Sequence, residues 1–229
     1  MRGFVIFVLM IFGAVAGRAG PWPREVDRTF IALAMTGQTA SLWAERGLGR
    51  GRWLALDGWY NAGSAEWLVG VTYHRAMRDR AGWAMAWSAG VTVGMPQTDI
   101  TLEVPVIRYP STWQAVVKLR PILSARLGMS LGRPLVRPWP GWVALDLRVD
   151  ANTLDQRVKA DATVGYRPRP RWAVIGQMQT ELAKGTRPQL HLASSVVWKA
   201  SDKVSLELGL RHGLHDRKTQ IKLGNWVEF

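Results

Sequence analysis

The sequence predicts an all-β protein, an antiparallel up-and-down β-barrel that spans a membrane. Three observations indicate this fold: an apolar amino terminus with the layout of an export signal, repeated segments in which apolar and polar side chains alternate, and a last strand that ends on Phe229. Because a chain that crosses lipid must satisfy every backbone N–H and C=O group internally, strands can cross only as a closed barrel.

Residues 1–19 have the layout of a secretory signal peptide. The start carries Arg2, the run from Phe4 to Ala16 is almost wholly apolar, and small residues precede a cleavage site after Ala19. A transmembrane anchor is the alternative, but the run is shorter than the roughly 18 to 20 residues that a helical span requires. We therefore expect three parts: a signal peptide (1–19), a short N-terminal segment (20–28) and a barrel (29–229).

The alternation of side chains is closest to ideal from Trp83 to Gly94, where large apolar groups occupy one face and small residues the other. The same period of two recurs in the apolar sets Trp67/Val69/Val71/Tyr73, Ile100/Leu102/Val104/Val106, Val143/Leu145/Leu147/Val149, Val158/Ala160/Ala162/Val164/Tyr166, Leu190/Leu192/Val196/Trp198 and Val204/Leu206/Leu208/Leu210. A soluble β-sandwich, which also alternates, is the alternative. The barrel is favoured because the faces opposite these apolar sets carry charge in mid-strand and because both chain ends carry export features.

The strand number depends on residues 29–46 and 112–131, each long enough for one extended strand or for a tight hairpin. Because barrels of this type have an even strand count, both stretches split or neither does. Apolar side chains keep one parity through 112–131, which favours a single strand, whereas Pro121 cannot donate to a strand ladder and argues for a break. We predict about 12 strands, with about 14 as the alternative.

Tryptophan residues are placed where the predicted strands begin or end. Amphipathic indoles concentrate at both membrane–water interfaces of a barrel, and packing in a core is the alternative for a few of them. The residues for which we expect interfacial positions are Trp53, Trp67, Trp83, Trp113, Trp142, Trp172 and Trp198.

The last eight residues, Lys222 to Phe229, are predicted to form the closing strand of the barrel. The order polar residue, any, Gly, any, any, hydrophobic, any, terminal aromatic is met by Lys222, Gly224, Val227 and Phe229. This order resembles the C-terminal insertion signal of bacterial outer-membrane β-barrel proteins. The resemblance implies a Gram-negative outer membrane, insertion by the barrel assembly machinery, and closure of this strand on the first strand near residues 29–46.

The amino-acid composition excludes some kinds of site and binding partner and favours others. The chain contains no cysteine, which excludes disulfides, thiolate metal sites and a cysteine nucleophile. The formal charge of +13 falls to 13 − 2 = +11 without Arg2 and Arg18 of residues 1–19. A chain this basic usually suggests nucleic acid, but its basic residues are spread over short turns. We therefore expect outer-membrane lipid and lipopolysaccharide phosphate as the counter-charge, and no nucleic acid.

The positions predicted to point inward carry charges of both signs. The candidate lumen-lining residues are Lys118, Arg120, Arg126, Arg148, Arg157, Lys159, His191 and Arg211, and the acids on the same faces include Glu103, Asp146, Asp150, Asp161, Glu181, Glu207 and Glu228. Cations that line an open pore would concentrate anions, whereas cations that face acids directly would form a closed interior. We predict a narrow channel or transporter for small solutes with a bias to anions. A non-conducting structural or interaction barrel that contacts lipopolysaccharide or an envelope partner is the alternative.

An outer-membrane enzyme that acts on lipid is the least favoured function. His191 and Ser195 share an inner face, but four residues of extended chain separate them by roughly 13 Å, too far for a hydrolytic pair. The sequence has no phosphate-binding loop and no metal-ligand spacing of His, Asp or Glu, so we predict no cofactor and no metal. It does not specify an oligomeric state.

Overall fold

The computed structural model describes residues 20–77, 82–95, 99–105, 112–118, 121–136, 138–152, 156–183 and 186–229, and for 99–105 and 112–118 it describes the backbone. The predicted signal peptide, residues 1–19, lies outside the described residues. Within the described ranges, no helix is long and apolar enough to cross a membrane.

The described residues form fourteen β-strands. They are β1 (Thr29–Thr36), β2 (Thr39–Gly49), β3 (Arg52–Asn61), β4 (Trp67–Ala76), β5 (Ala84–Met95), β6 (Asp99–Pro105), β7 (Thr112–Lys118), β8 (Ile122–Leu135), β9 (Gly141–Ala151), β10 (Gln156–Arg169), β11 (Trp172–Ala183), β12 (Gln189–Lys199), β13 (Val204–Gly213) and β14 (Thr219–Glu228).

Twelve of these strands close into one antiparallel barrel. Each pairs with its neighbour in sequence, except that β5 pairs with β8. The last strand closes on the first, with Phe30 of β1 opposite Glu228 of β14 and Thr36 opposite Lys222. The predicted fold class, the strand number and the closure of the last strand on the first are therefore confirmed.

The segments that form the twelve barrel strands differ from those that the sequence predicted. Residues 29–46 form the hairpin of β1 and β2, whose turn uses Gly37 at a φ of 58°. The prediction of one strand across 112–131 is wrong, because β7 ends at Lys118 and β8 begins at Ile122. Pro121 lies directly before β8 and has no N–H to donate to a strand ladder. Both stretches split, yet the barrel keeps twelve strands because β6 pairs only with β7 in a separate two-stranded sheet.

The connections between strands lie at two ends of the barrel. Since neighbouring strands are antiparallel, the turns after β2, β4, β8, β10 and β12 lie at the same end as the start of β1 and the end of β14. We call this end the terminal rim. The other connections, including the excursion through β6 and β7, start from the opposite rim.

The two faces of the wall differ as the period of two predicts. Large apolar side chains point outward and remain exposed, among them Leu127 at 64%, Leu208 at 60% and Ile221 at 61%. An apolar outer band is what a barrel in lipid requires. The inner face carries the charged side chains, and the lumen is therefore the place to look for function.

Candidate solute pathway in the barrel lumen

Acidic and basic side chains share the inner face of the barrel. The acids that the strand period places there are Glu45, Asp57, Asp146, Asp150, Asp161, Glu181, Glu207 and Glu228, and the bases include Arg126, Arg148, Arg157, Lys159, Arg211 and Lys222. Several of them are in direct ion pairs, such as Lys222 with Glu207 at 2.6 Å. The lumen is therefore highly charged, with most of its charge locally compensated.

Arg126 of β8 organises one part of the wall. Its Nε donates to Asp150 Oδ1 at 2.5 Å, and its Nη1 donates to Asp57 on β3. To reach Asp57 the side chain lies along the wall over Gly70, where a Cβ would come within 2.9 Å of Nη1. Arg126 is only 2% exposed, so it braces the wall and does not line a path for solutes.

A second group of bases lies toward the opposite rim, and we call Arg148, Arg157, Lys159 and Arg211 the basic cluster. Glu181 of β11 accepts from two of its members, Lys159 Nζ at 2.7 Å and Arg157 Nε at 3.1 Å. Arg211 donates to Gln179 Oε1 at 3.2 Å. Arg148 also lies 3.8 Å from Asp57 and from Asp150. The inner-face acids beside the other three bases, Arg157, Lys159 and Arg211, are Glu181 and Asp161, so these three bases outnumber the two acids around them.

Like charges face each other across β9 and β10 in this region. Asp146 is opposite Asp161, and Arg148 is opposite Lys159. Like charges directly opposite on neighbouring strands destabilise a sheet. Here partners on other strands offset the repulsion, because the Ser130 hydroxyl donates to Asp146 at 2.5 Å and Lys159 pairs with Glu181. A wall that tolerates such pairs is more easily explained by a function in the lumen than by stability.

Residues 20–28, which we call the N-terminal segment, enter the lumen at the terminal rim. Pro21 is fully buried, and Trp22 packs against the apolar patch of inner side chains formed by Trp142, Ala144, Ile175 and Val197. These four belong to β9, β11 and β12. One side of the segment is therefore held by apolar contact with the wall.

Arg24 holds the other side of the segment. Its guanidinium lies over the ring of Phe30, 4.4 Å from the centroid, and its Nε donates to Glu45 Oε2 at 2.6 Å. Its Nη1 lies 3.5 Å from Glu228 Oε1. Since Phe30 pairs with Glu45 on β2 and with Glu228 on β14, the two acids flank it across the closing seam. We call Glu45, Phe30 and Glu228 the acidic cradle.

Two glycines in the wall make room for the N-terminal segment. A Cβ at Gly47 would overlap the carbonyl of Glu25, and one at Gly132 would lie 2.8 Å from Trp22 and 2.9 Å from Pro21. Any larger side chain at either position would push the segment away from the wall. Glycines on β2 and on β8 thus leave the space that the segment occupies against the wall.

The structure separates the predicted lumen-lining residues into three groups. Arg148, Arg157, Lys159, His191 and Arg211 lie on the inner face. The interpretation of Arg126 as a lining residue is wrong because its side chain is buried among its carboxylate partners. Lys118 belongs to β7, which pairs with β6 in a sheet separate from the barrel sheet, so it is not part of the barrel wall. Arg120 lies outside the described residues.

The predicted interfacial tryptophans include some that point outward and some that are buried in the barrel. Trp67, Trp83, Trp172 and Trp198 are on the outward parity, and Trp172 and Trp198 face each other at a ring distance of 6.3 Å.

The interpretation of Trp53 and Trp142 as interfacial is wrong. Trp53 is 1% exposed and stacks on His74 at 4.9 Å inside the barrel, and Trp142 is 5% exposed in the apolar patch. The side chain of Trp113 lies outside the described part of β7.

The residues that the sequence did not identify are those of the N-terminal segment, Trp22 and Arg24. The signal available was composition alone: the order Pro-Trp-Pro-Arg before the first strand combines an aromatic side chain with two rigid prolines. Among the described residues, no three or more His, Cys, Asp or Glu side chains come together as a metal site would require.

The comparisons with known proteins concern the fold. No family model matches the sequence, and no curated protein matches it. A structure described as "KdgM porin" is similar with a TM-score of 0.62 at 11% identity, over 88% of this chain and 99% of that chain. A "KdgM porin in complex with disordered oligogalacturonate" has a TM-score of 0.59 at 9% identity, over 88% and 99%. A NanC porin has a TM-score of 0.53 at 9% identity, over 88% and 98%.

Proposed function

We propose that this protein is a narrow channel for small polar solutes in the outer membrane of a Gram-negative bacterium, with a modest preference for anions. The observation that carries the proposal is the basic cluster, which faces the lumen of a closed twelve-strand barrel. The similarity of this barrel to structures described as porins supports the same conclusion.

The preference for anions follows from local charge. A pore wall with more cations than anions raises the local concentration of anions, and Arg157, Lys159 and Arg211 of the basic cluster outnumber Glu181 and Asp161 beside them. The preference is modest because other inner bases, such as Lys222, are neutralised by direct partners. One similar structure is described as a complex with oligogalacturonate, so this compound is a suitable first probe for binding here.

The channel is narrow for two reasons. A barrel of twelve strands encloses less space than the roughly 16 to 18 strands of wide porins. In addition, the N-terminal segment occupies part of the lumen at the terminal rim. We therefore expect small solutes to pass and folded proteins to be excluded.

Planar-bilayer recording of the refolded barrel tests the channel. We expect discrete conductance steps and a reversal potential displaced toward anions in a KCl gradient. The double variant Arg157→Gln/Lys159→Gln should move the reversal potential toward cations, because Arg211 is then the one base left of the three beside Glu181 and Asp161. Lys199→Gln is the matched control, since Lys199 pairs with Asp202 at the terminal rim.

The outcomes separate the parts of this proposal. Without conductance steps from a folded barrel, the channel proposal fails. Steps that favour cations in the wild-type protein contradict only the preference for anions.

A non-conducting structural or interaction barrel, in contact with lipopolysaccharide or an envelope partner, is the second candidate. The specific observation that favours it is that the N-terminal segment occupies the lumen at one end. This candidate predicts no conductance from the wild-type protein and from the cluster variant alike.

The proposed location rests on the two chain ends. Residues 1–19 would direct export, with cleavage after Ala19, and Lys222, Gly224, Val227 and Phe229 would be recognised by the barrel assembly machinery. We expect deletion of Phe229 to reduce the folded barrel in the outer-membrane fraction, whereas Phe229→Tyr should retain it. Equal amounts of folded barrel from the deletion and the wild type would contradict the insertion role.

A further inference from the structure

The N-terminal segment extends across the whole lumen. Around the ring, β1 and β9 are six strands apart in either direction, so they lie on opposite sides of the barrel. Trp22 packs against the apolar patch, which begins on β9, and a Cβ at Gly132 of the neighbouring β8 would lie 2.8 Å from its ring. Arg24 lies over Phe30 of β1. Two long side chains and the short backbone between them therefore connect opposite walls.

The segment is attached mainly through side chains. Its backbone joins the wall only near its end, where Asp27 N donates to Gly47 O and Gly47 N donates to Arg28 O. Among the described residues, no backbone–backbone hydrogen bond is made by residues 20–24. The part that crosses the lumen can therefore leave without breaking a strand ladder.

We propose that residues 20–25 form the constriction of the channel at its terminal rim, and that Trp22 and Arg24 hold it closed. This inference rests on the proposed channel function. The wall supplies two receptor surfaces on opposite sides, the apolar patch for Trp22 and the acidic cradle for Arg24. The size limit of the pathway is then set by a segment that is separate from the barrel wall.

Conductance measurements on variants of the full chain test this constriction. Trp22→Ala/Arg24→Ala and a replacement of residues 21–24 by Gly-Ser-Gly-Ser should both give larger steps than the wild type, by a factor on the order of two, because a wider path carries more ions. Arg28→Ala is the matched control, since Arg28 belongs to the same segment but is solvent-exposed and pairs with exposed Glu25. It should leave the conductance unchanged.

The outcomes distinguish the two proposals. If the wild type and both opened variants conduct in equal steps, the constriction is refuted and the channel stands. If only the opened variants conduct, residues 20–25 close the lumen of the wild type completely, and the channel proposal, which requires steps from the wild type, fails. If no variant conducts although each barrel is folded, the channel proposal fails and the constriction fails with it.

Discussion

Two buried arginines in this barrel have the same chemical surroundings and different attachments. Arg126 lies between Asp57 and Asp150, and Arg24 lies between Glu45 and Glu228. In each case a guanidinium bridges carboxylates from two different strands. Arg126, however, belongs to β8, which is hydrogen-bonded to β5 and β9, whereas Arg24 belongs to a segment outside the sheet.

A buried ion pair does not by itself indicate whether the part of the structure that it holds is fixed or removable. The carboxylates around Arg126 are covered by the wall and by Arg126 itself. Those around Arg24 lie at the terminal rim and would meet water if the segment left. The same pair of charges can therefore brace a wall in one place and hold a removable segment in another.

The largest effect is expected from Arg126→Leu. This change leaves Asp57 and Asp150 buried without their main partner, and removing one member of a buried ion pair costs about 3–5 kcal/mol. We expect a loss of this size in the free energy of unfolding, measured by urea titration of the barrel in lipid vesicles. Wild-type heat modifiability in detergent gels would confirm that the variant still folds.

A control separates the loss of the pair from the loss of packing. The variant Arg126→Leu/Asp57→Leu/Asp150→Leu removes all three charges together, and replacing a complete buried ion network by apolar residues is often neutral or stabilising. It should therefore unfold at higher urea than Arg126→Leu alone. Equal destabilisation of the two variants would show that Arg126 acts through its packing.

A smaller effect on stability is expected from Arg24→Leu. The segment can leave the acidic cradle and water can reach Glu45 and Glu228, so we expect a loss of about 1–3 kcal/mol, near the cost of leaving a buried polar group without its partner. The same urea titration measures it, with Arg28→Ala as the variant of the segment that should not change. If Arg24→Leu costs more than Arg126→Leu, the contrast between wall and segment is wrong.

The barrel itself could be predicted because its signal is local. A period of two assigns each strand residue to a face, and the same period placed Arg148, Lys159 and Arg211 inside. Trp53 and Trp142 were misassigned although the signal was present: Trp53 shares its parity with Asp57, and Trp142 shares its parity with Asp146. At these two residues the position at a strand start and the parity disagree, and the parity decides where the side chain lies.

The break at Pro121 and the course of the N-terminal segment required more than local pattern. Parity continues across Pro121, so only the pairing of β5 with β8 shows that the chain leaves the barrel between them. The partners of Arg24 are 21 and 204 residues away in the sequence. Because no periodic pattern relates such distant positions, Trp22 and Arg24 could not be assigned to the lumen from the sequence.

The acidic cradle has a consequence for the order of assembly. Glu45 belongs to the second strand and Glu228 to the last, and they come together on either side of Phe30 only when β14 pairs with β1. Arg24 is among the earliest residues of the described chain, yet its complete binding site exists only after the final strand is in place. Docking of the N-terminal segment is therefore a marker of completed folding, and a barrel stalled before closure would keep this segment undocked.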